Sequence, residues 1–266
     1  MPTHSIELLP TDIPGPHRPV AVNVRNLPPD AHVAAHRHAW AQLACSFSGA
    51  IRLRAGDTTW IVPPQSAVWI PPEIEHEVAM LGKVEMRTVY VAAAAAPRSL
   101  DTCEVIEVSA LMRELIAGLG HGDDAGQADR ADEARTRLLA DLLLLEIRRA
   151  PARSFSVPMP SDRRLRALCE ALLADPAASL TLQEWAPRVG ASARTLARLF
   201  AGDLGLSFGQ WRQRARLAHA AALIGRGEPL GTIAAGLGYD SPSAFTVMFK
   251  RAFGMTPRDF LRADRG

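Results

Sequence analysis

The chain has 266 residues, 48% of them hydrophobic and 22% charged, with a net charge of +2. That composition excludes a disordered polymer and leaves room for about two globular domains. The longest apolar stretch, 89-VYVAAAAAP-97, is far short of the ~20 residues a membrane helix needs, and MPTHSIELLPTDIPGPHRP has no basic start followed by an apolar core, so neither a membrane span nor a signal peptide is expected.

Cys45, Cys103 and Cys169 are scattered and form no CxxC pair, which argues against a disulfide framework or zinc knuckle and for a reducing cytoplasm. Charge is uneven. Residues 161–266 carry 15 Lys+Arg and 9 Asp+Glu, net +6, while the first 160 carry 15 and 19, net −4. A basic half joined to an acidic half suggests that one half meets a polyanion.

Residues 18–92 read as strands, with runs 42-QLACSF-47, 50-AIRLRA-55, 58-TTWIV-62, 67-AVWI-70 and 84-VEMRTVYV-91 between Gly, Pro and Asp turns. Closely spaced strands suggest a sandwich or barrel. Within them, 36-HRHAWAQLACSFSG-49 places His36 and His38 one residue apart, on the same face of a strand. After Pro97 the pattern turns helical. Ser109 is the expected N-cap of a helix ending at Gly120, and 129–150 forms a second helix with Leu138, Leu139, Leu142, Leu145 and Ile147 on a wide apolar face. That face serves either core packing or dimerisation. Residues 151–160, PARSFSVPMP, read as a linker. The expected division is 1–100 sensor, 101–150 helical linker and dimerisation segment, and 161–266 helical domain.

The last segment contains an internal repeat. Ala186 matches Ala234 and Gly190 matches Gly238; after one inserted residue Ser192 matches Ser241, Leu196 matches Phe245, Phe200 matches Phe249 and Gly205 matches Gly254. Each copy is a helix, a glycine turn, a serine N-cap and a second helix, which is the helix-turn-helix plan. In that plan the second helix enters the major groove. In the first copy Ala193, Arg194, Ala197 and Arg198 face outward, and the two arginines suit guanine edges or phosphate. In the second copy Ser243, Ala244, Thr246, Val247 and Lys250 face the groove; being small and weakly polar, they suit thymine methyls and shape more than guanine. Arg212, Arg214, Arg216, Arg251 and Arg258 are candidate phosphate contacts.

Residues 180–224 followed by 233–260, closing in 254-GMTPRDF-260, resemble the DNA-binding domain of the AraC/XylS family of bacterial transcription regulators. The resemblance covers about the last 100 residues. It implies two helix-turn-helix units bridged by a long helix around Ser207 to Ile224. Pro242 stands where many members carry a polar residue. The strand-rich half resembles a cupin barrel: His36, His38, Gln42 and Gly49 fit the first cupin motif with Gln in place of Glu. In the second motif 71-PPEIEH-76 supplies His76, with Glu73 where a glycine is usual and Met80 where an asparagine is common. The resemblance implies that His36, His38, His76 and Gln42 meet inside the barrel, a donor set able to hold Zn, Ni, Mn or Fe. The other histidines, His4, His17, His32, His121 and His219, lack this spacing and read as surface or structural. Trp40, Trp60, Trp69 and Tyr90 read as core or barrel-lining residues, and as the apolar wall of an effector pocket if an organic effector binds.

The expected architecture is α+β and multidomain: an N-terminal cupin-like β-barrel, then an all-α domain with two helix-turn-helix motifs. The expected function is a cytoplasmic, homodimeric, sequence-specific regulator of transcription that binds double-stranded DNA and senses a small molecule or metal, with resemblance to a subgroup controlling neighbouring efflux transporter genes. No catalytic residues are expected. The competing reading is a cupin metalloenzyme, a dioxygenase or isomerase, with an appended helical domain; a third is a regulator whose barrel binds no ligand.

Overall fold

The computed structural model describes residues 13–29, 31–98, 101–120, 130–153 and 155–262. His4 and His121 lie outside the described residues. The strands in chain order are β1 (Val20–Leu27), β2 (His32–His36), β3 (Ala41–Ala55), β4 (Thr58–Val62), β5 (Ser66–Ile70), β6 (His76–Val91), β7 (Glu104–Glu107), β8 (Ala152–Arg153) and β9 (Ser156–Pro158). The helices are α1 (Ala110–Gly120), α2 (Arg130–Arg149), α3 (Arg163–Ala174), α4 (Leu182–Arg188), α5 (Ala193–Leu204), α6 (Phe208–Gly225), α7 (Leu230–Gly236), α8 (Pro242–Phe253) and α9 (Pro257–Arg262). Among the described residues the chain forms two compact units, 13–55 with 62–153, and 56–61 with 155–262.

The first unit is an antiparallel sheet in the order β1-β6-β3-β5-β7-β8, with β2 also on β6. The expected barrel is not closed: the strand order is an open path with β1 and β8 at its ends. The two runs expected at 42–47 and 50–55 are one strand, β3, whose register against β6 shifts between Ser46 and Ala50. Gly49 makes this continuity workable. Its φ is +70°, and a Cβ there would lie 2.2 Å from the Lys83 carbonyl oxygen, so only glycine allows β3 and β6 to approach so closely.

Alternation along β3 and β6 divides the sheet into two faces. Leu43, Cys45, Phe47, Val89 and Val91 join Trp69, Ile106 and the helices in one core, to which α1 gives Met112, Leu115, Ile116 and Leu119 and α2 gives Ala140, Leu143 and Ile147. Each fully buried aliphatic side chain contributes about 1.5–3 kcal/mol. The broad apolar stripe of α2 is therefore divided. Leu143 and Ile147 are core, while Leu138 is 69% and Leu142 38% exposed. Ser109 caps α1 as expected, accepting from the Met112 amide at 3.1 Å.

The second unit holds α3 to α9 and a short antiparallel ribbon in which Thr58, Thr59 and Trp60 pair with Pro158, Val157 and Ser156. Residues 151–160, expected to be a linker, thus contain β8 and β9. They are strands because their backbone finds partners: β8 on β7, and β9 on β4. The ribbon is tied to the helices by Trp211 Nε1 donating to the Pro158 carbonyl at 2.7 Å and by an Arg166–Asp57 ion pair at 2.8 Å. The expected long helix is α6, capped by Ser207 with Gln210 completing a capping box. Among the described residues no helix is long and apolar enough to cross a membrane.

Candidate functional site

β2 ends at His36, β6 begins at His76, and the two residues pair across the ladder. The strand expected to carry both early histidines ends at His36, so His38 lies in the turn into β3. Glu73, in the turn before β6, donates its amide to the His38 carbonyl at 2.8 Å, which ties the two turns together. Glu73 has φ +61°, a left-handed conformation that accounts for the glycine usual at this place in the cupin motif. The three rings then gather. Their centroids lie 4.3 Å apart for His36–His76, 5.1 Å for His38–His76 and 5.8 Å for His36–His38, and one ring nitrogen from each lies within 4.8 Å of the others.

Each Nδ1 already has a partner. His36 Nδ1 meets the Ala34 carbonyl at 2.9 Å, His38 Nδ1 the Trp40 carbonyl at 2.7 Å, and His76 Nδ1 the Ile74 carbonyl at 2.8 Å. A carbonyl only accepts, so each Nδ1 carries the proton and a neutral ring keeps its lone pair on Nε2. Burial favours the neutral form of two of the rings: it pushes the His76 pKa down to about 4 and lowers that of His38. His76 is 1% exposed, and its Nε2 has no hydrogen-bond partner among the described residues. Gln42, buried on the inner side of β3, places its amide oxygen 2.8 Å from His38 Nε2. With its proton on Nδ1, His38 has none to donate there, so Nε2 and the amide oxygen are two acceptors side by side, an arrangement that a bound cation would reconcile.

The four aromatic residues expected at an effector pocket separate. Trp40 stacks on His38 with ring centroids 5.1 Å apart and planes 7° apart, and Tyr90 meets both rings edge-on. Trp69 does not belong to this group. It alternates onto the opposite face of the sheet, in the core under α1 and α2. Trp60 is on the β4–β9 ribbon of the second unit. The carbonyls of Ala34, Trp40 and Ile74 orient the rings but leave no trace in a sequence, because every residue has a carbonyl.

In the second unit, Ser192 accepts from the Thr195 amide and Ser241 from the Ala244 amide, both at 3.1 Å, so each serine caps its helix as the repeat suggests. The turns before them pass through Gly190 (φ +68°) and Gly238 (φ +72°), the left-handed corners that let α4 meet α5 and α7 meet α8. Leu196, Leu199 and Phe200 of α5 are buried, as are Phe245, Phe249 and Phe253 of α8. Arg194, Ala197, Arg198, Ser243, Ala244, Val247, Lys250 and Arg251 are exposed, whereas Ala193 and Thr246 are half-buried.

Three of the expected phosphate contacts are otherwise engaged. Arg212 donates to the Leu180 carbonyl and lies over the Phe208 ring, Arg214 donates to Ser156 and Arg216 to Pro176. All three are half-buried and tie α6 to neighbouring backbone, while Arg251 and Arg258 remain exposed. A groove beside Arg194 adds Thr181 and Gln183, which the repeat did not single out.

Comparison with known proteins places two families along the chain: the AraC-like ligand binding domain over residues 24–147 and the helix-turn-helix domain over residues 185–263. The HTH-type transcriptional regulator NimR of Escherichia coli is 34% identical over 226 residues, covering 85% of this chain and 81% of that protein. The HTH-type transcriptional activator RhaR of Klebsiella pneumoniae is 24% identical over 266 residues, covering 92% of this chain and 93% of its own length. The structure of ToxT from Vibrio cholerae aligns with 93% of this chain and 99% of its own, at a TM-score of 0.40 and 11% identity.

Proposed function

Since the chain belongs to the AraC family of transcriptional regulators, and is thus a DNA-binding regulator with a ligand-binding domain, we propose that its effector is a divalent transition metal held by His36, His38 and His76. The single observation that carries this reading is the set of three Nε2 atoms, freed by three carbonyls that hold each Nδ1–H, one of them buried with no partner. Metal-bound histidines are commonly oriented in this way. Three neutral imidazoles suit Zn, Ni, Mn or Fe, with the Gln42 amide oxygen, 2.8 Å from His38 Nε2, as the fourth donor. When bound, the metal supplies a cross-link between the start of β6, the end of β2 and the turn into β3; nothing in the reading requires turnover. The relatives are regulators, which weighs against the cupin-enzyme alternative.

α4–α5 and α7–α8 are read as two helix-turn-helix units, with α5 and α8 in major grooves. Affinity then falls linearly in log–log against salt as counterions are released. The exposed Leu138 and Leu142, one turn apart on α2, support a homodimer through that helix, which would bind two half-sites. The cytoplasm as compartment and a neighbouring efflux transporter gene as target belong to the same reading, the latter by family analogy.

The test is the metal content of untagged full-length protein purified without chelator, beside a His36→Ala/His38→Ala variant. Near one metal per chain, lost in the variant, with operator affinity that changes on chelation, supports the metal reading. No metal in either sample moves the effector to an organic ligand against Trp40 and Tyr90.

A further inference from the structure

The two copies of the repeat present different chemistry at equivalent places. With the 49-residue offset that aligns Ser192 with Ser241, Arg194 falls on Ser243 and Arg198 falls on Val247. The helices are otherwise built alike: a serine cap, a buried aromatic or leucine seam, and a left-handed glycine at the end. Where α5 exposes two guanidinium groups, α8 exposes a hydroxyl and an isopropyl group. Val247 is 65% exposed, although the same helix buries Phe245, Phe249 and Phe253 almost completely.

The neighbouring residues leave α8 little to donate or accept. Ala244 is exposed and has only a methyl group. Thr246 Oγ1 donates to the Pro242 carbonyl at 2.9 Å, so its one proton is used within its own helix and only its acceptor lone pairs are left. Lys250 and Arg251 lie in the last turn, where they suit backbone phosphate. In the major groove the apolar partner of such a surface is the 5-methyl group of thymine.

We infer that Val247, with the Ala244 methyl beside it, is the specificity-determining residue of α8 and selects thymine by contact with its 5-methyl group, whereas α5 selects hydrogen-bond acceptors through Arg194 and Arg198. The inference rests on the reading of α8 as a groove-entering helix. The operator therefore divides into a part sensitive to arginine contacts and a part sensitive to a methyl group.

The test begins by selecting duplexes from a random library with the full-length protein, then replacing each thymine of the enriched site, one at a time, by deoxyuridine. The replacement removes the methyl group and leaves every hydrogen-bonding group of the base in place. Wild-type protein should lose about four-fold in affinity at one or two positions, the effect of one methyl-sized group returned to water. Val247→Ala should lose that sensitivity at one of those positions and keep it elsewhere. Val247→Arg, which restores the side chain of the first copy, should move the preference there from thymine to guanine.

The inference is overturned if an enriched site shows no deoxyuridine effect, or if the effect is the same in Val247→Ala. A selection that enriches no sequence overturns the reading of α8 as a base-contacting helix itself. The exposed position of Val247 makes loss of folding an inadequate explanation of either result, and circular dichroism of each variant checks it.

Discussion

Replacing Gln42 by Glu tests the metal reading with a single charge. The amide oxygen lies 2.8 Å from His38 Nε2, and a bound transition metal lies about 2.1 Å from a ligating nitrogen. A carboxylate in the same place is then no more than about 4.9 Å from a dication. At an effective dielectric constant of about 20 their attraction is about 7 kcal/mol. Against it stands the desolvation of a carboxylate at a site only 4% exposed, several kcal/mol. The difference is about 1–3 kcal/mol, or roughly ten- to a hundred-fold tighter binding. The assay is competition with a chromophoric chelator, using Zn²⁺ and full-length protein, for wild type, Gln42→Glu and His76→Ala. His76→Ala should weaken binding strongly. If it does so while Gln42→Glu changes nothing, Gln42 is outside the coordination shell and the four-donor reasoning fails. If neither variant changes the affinity, the ion is elsewhere and the cluster is not the site.

Arg198→Ala should weaken binding to the selected site by about 1–3 kcal/mol and relax preference at one base pair; an equal loss on all sequences would make it a phosphate contact, and no loss on any sequence would refute the assignment of the α5 face. Leu138→Glu with Leu142→Glu should turn a dimer into a monomer in sedimentation velocity at micromolar concentration, with little effect on the core, since Leu143 and Ile147 face the sheet instead. A wild-type protein that sediments as a monomer would remove the dimer reading. The His76 pKa is depressed from 6.5 to about 4, so the folded state binds fewer protons than the unfolded chain between these values. Its contribution is therefore complete above pH 6.5 and is lost as pH falls through 4. Hydrogen exchange of β3 and β6 amides in chelator-treated protein should show this loss, and His76→Phe should reduce it; identical pH profiles would refute the assignment.

The repeat of helices, the serine caps and the outward arginines were legible because they are local. Helix periodicity and capping act within a few residues, and two copies in one register reinforce each other. The trio His36, His38 and His76 was legible only because spacing and the cupin resemblance brought a distant histidine into the same set. Neither periodicity nor composition could assign the ring tautomers, because the carbonyls of Ala34, Trp40 and Ile74 are chemically anonymous until the turns place them.

Tertiary structure also decided which of several equivalent side chains stayed free. Arg212, Arg214 and Arg216 resemble Arg194 and Arg198 as letters, but three of these five guanidinium groups donate to backbone carbonyls around α6. Trp69 and Trp40 are both tryptophans of the sheet region, yet one faces the helices and the other stacks on His38, because alternation and pairing choose the face. The α2 stripe was divided in the same way between core and surface. The sequence by itself determined which elements form and which chemistry they carry. Which groups remained available to a metal, a partner or DNA depended on burial and on hydrogen bonds between residues far apart in the chain, and those exist only once the chain has folded.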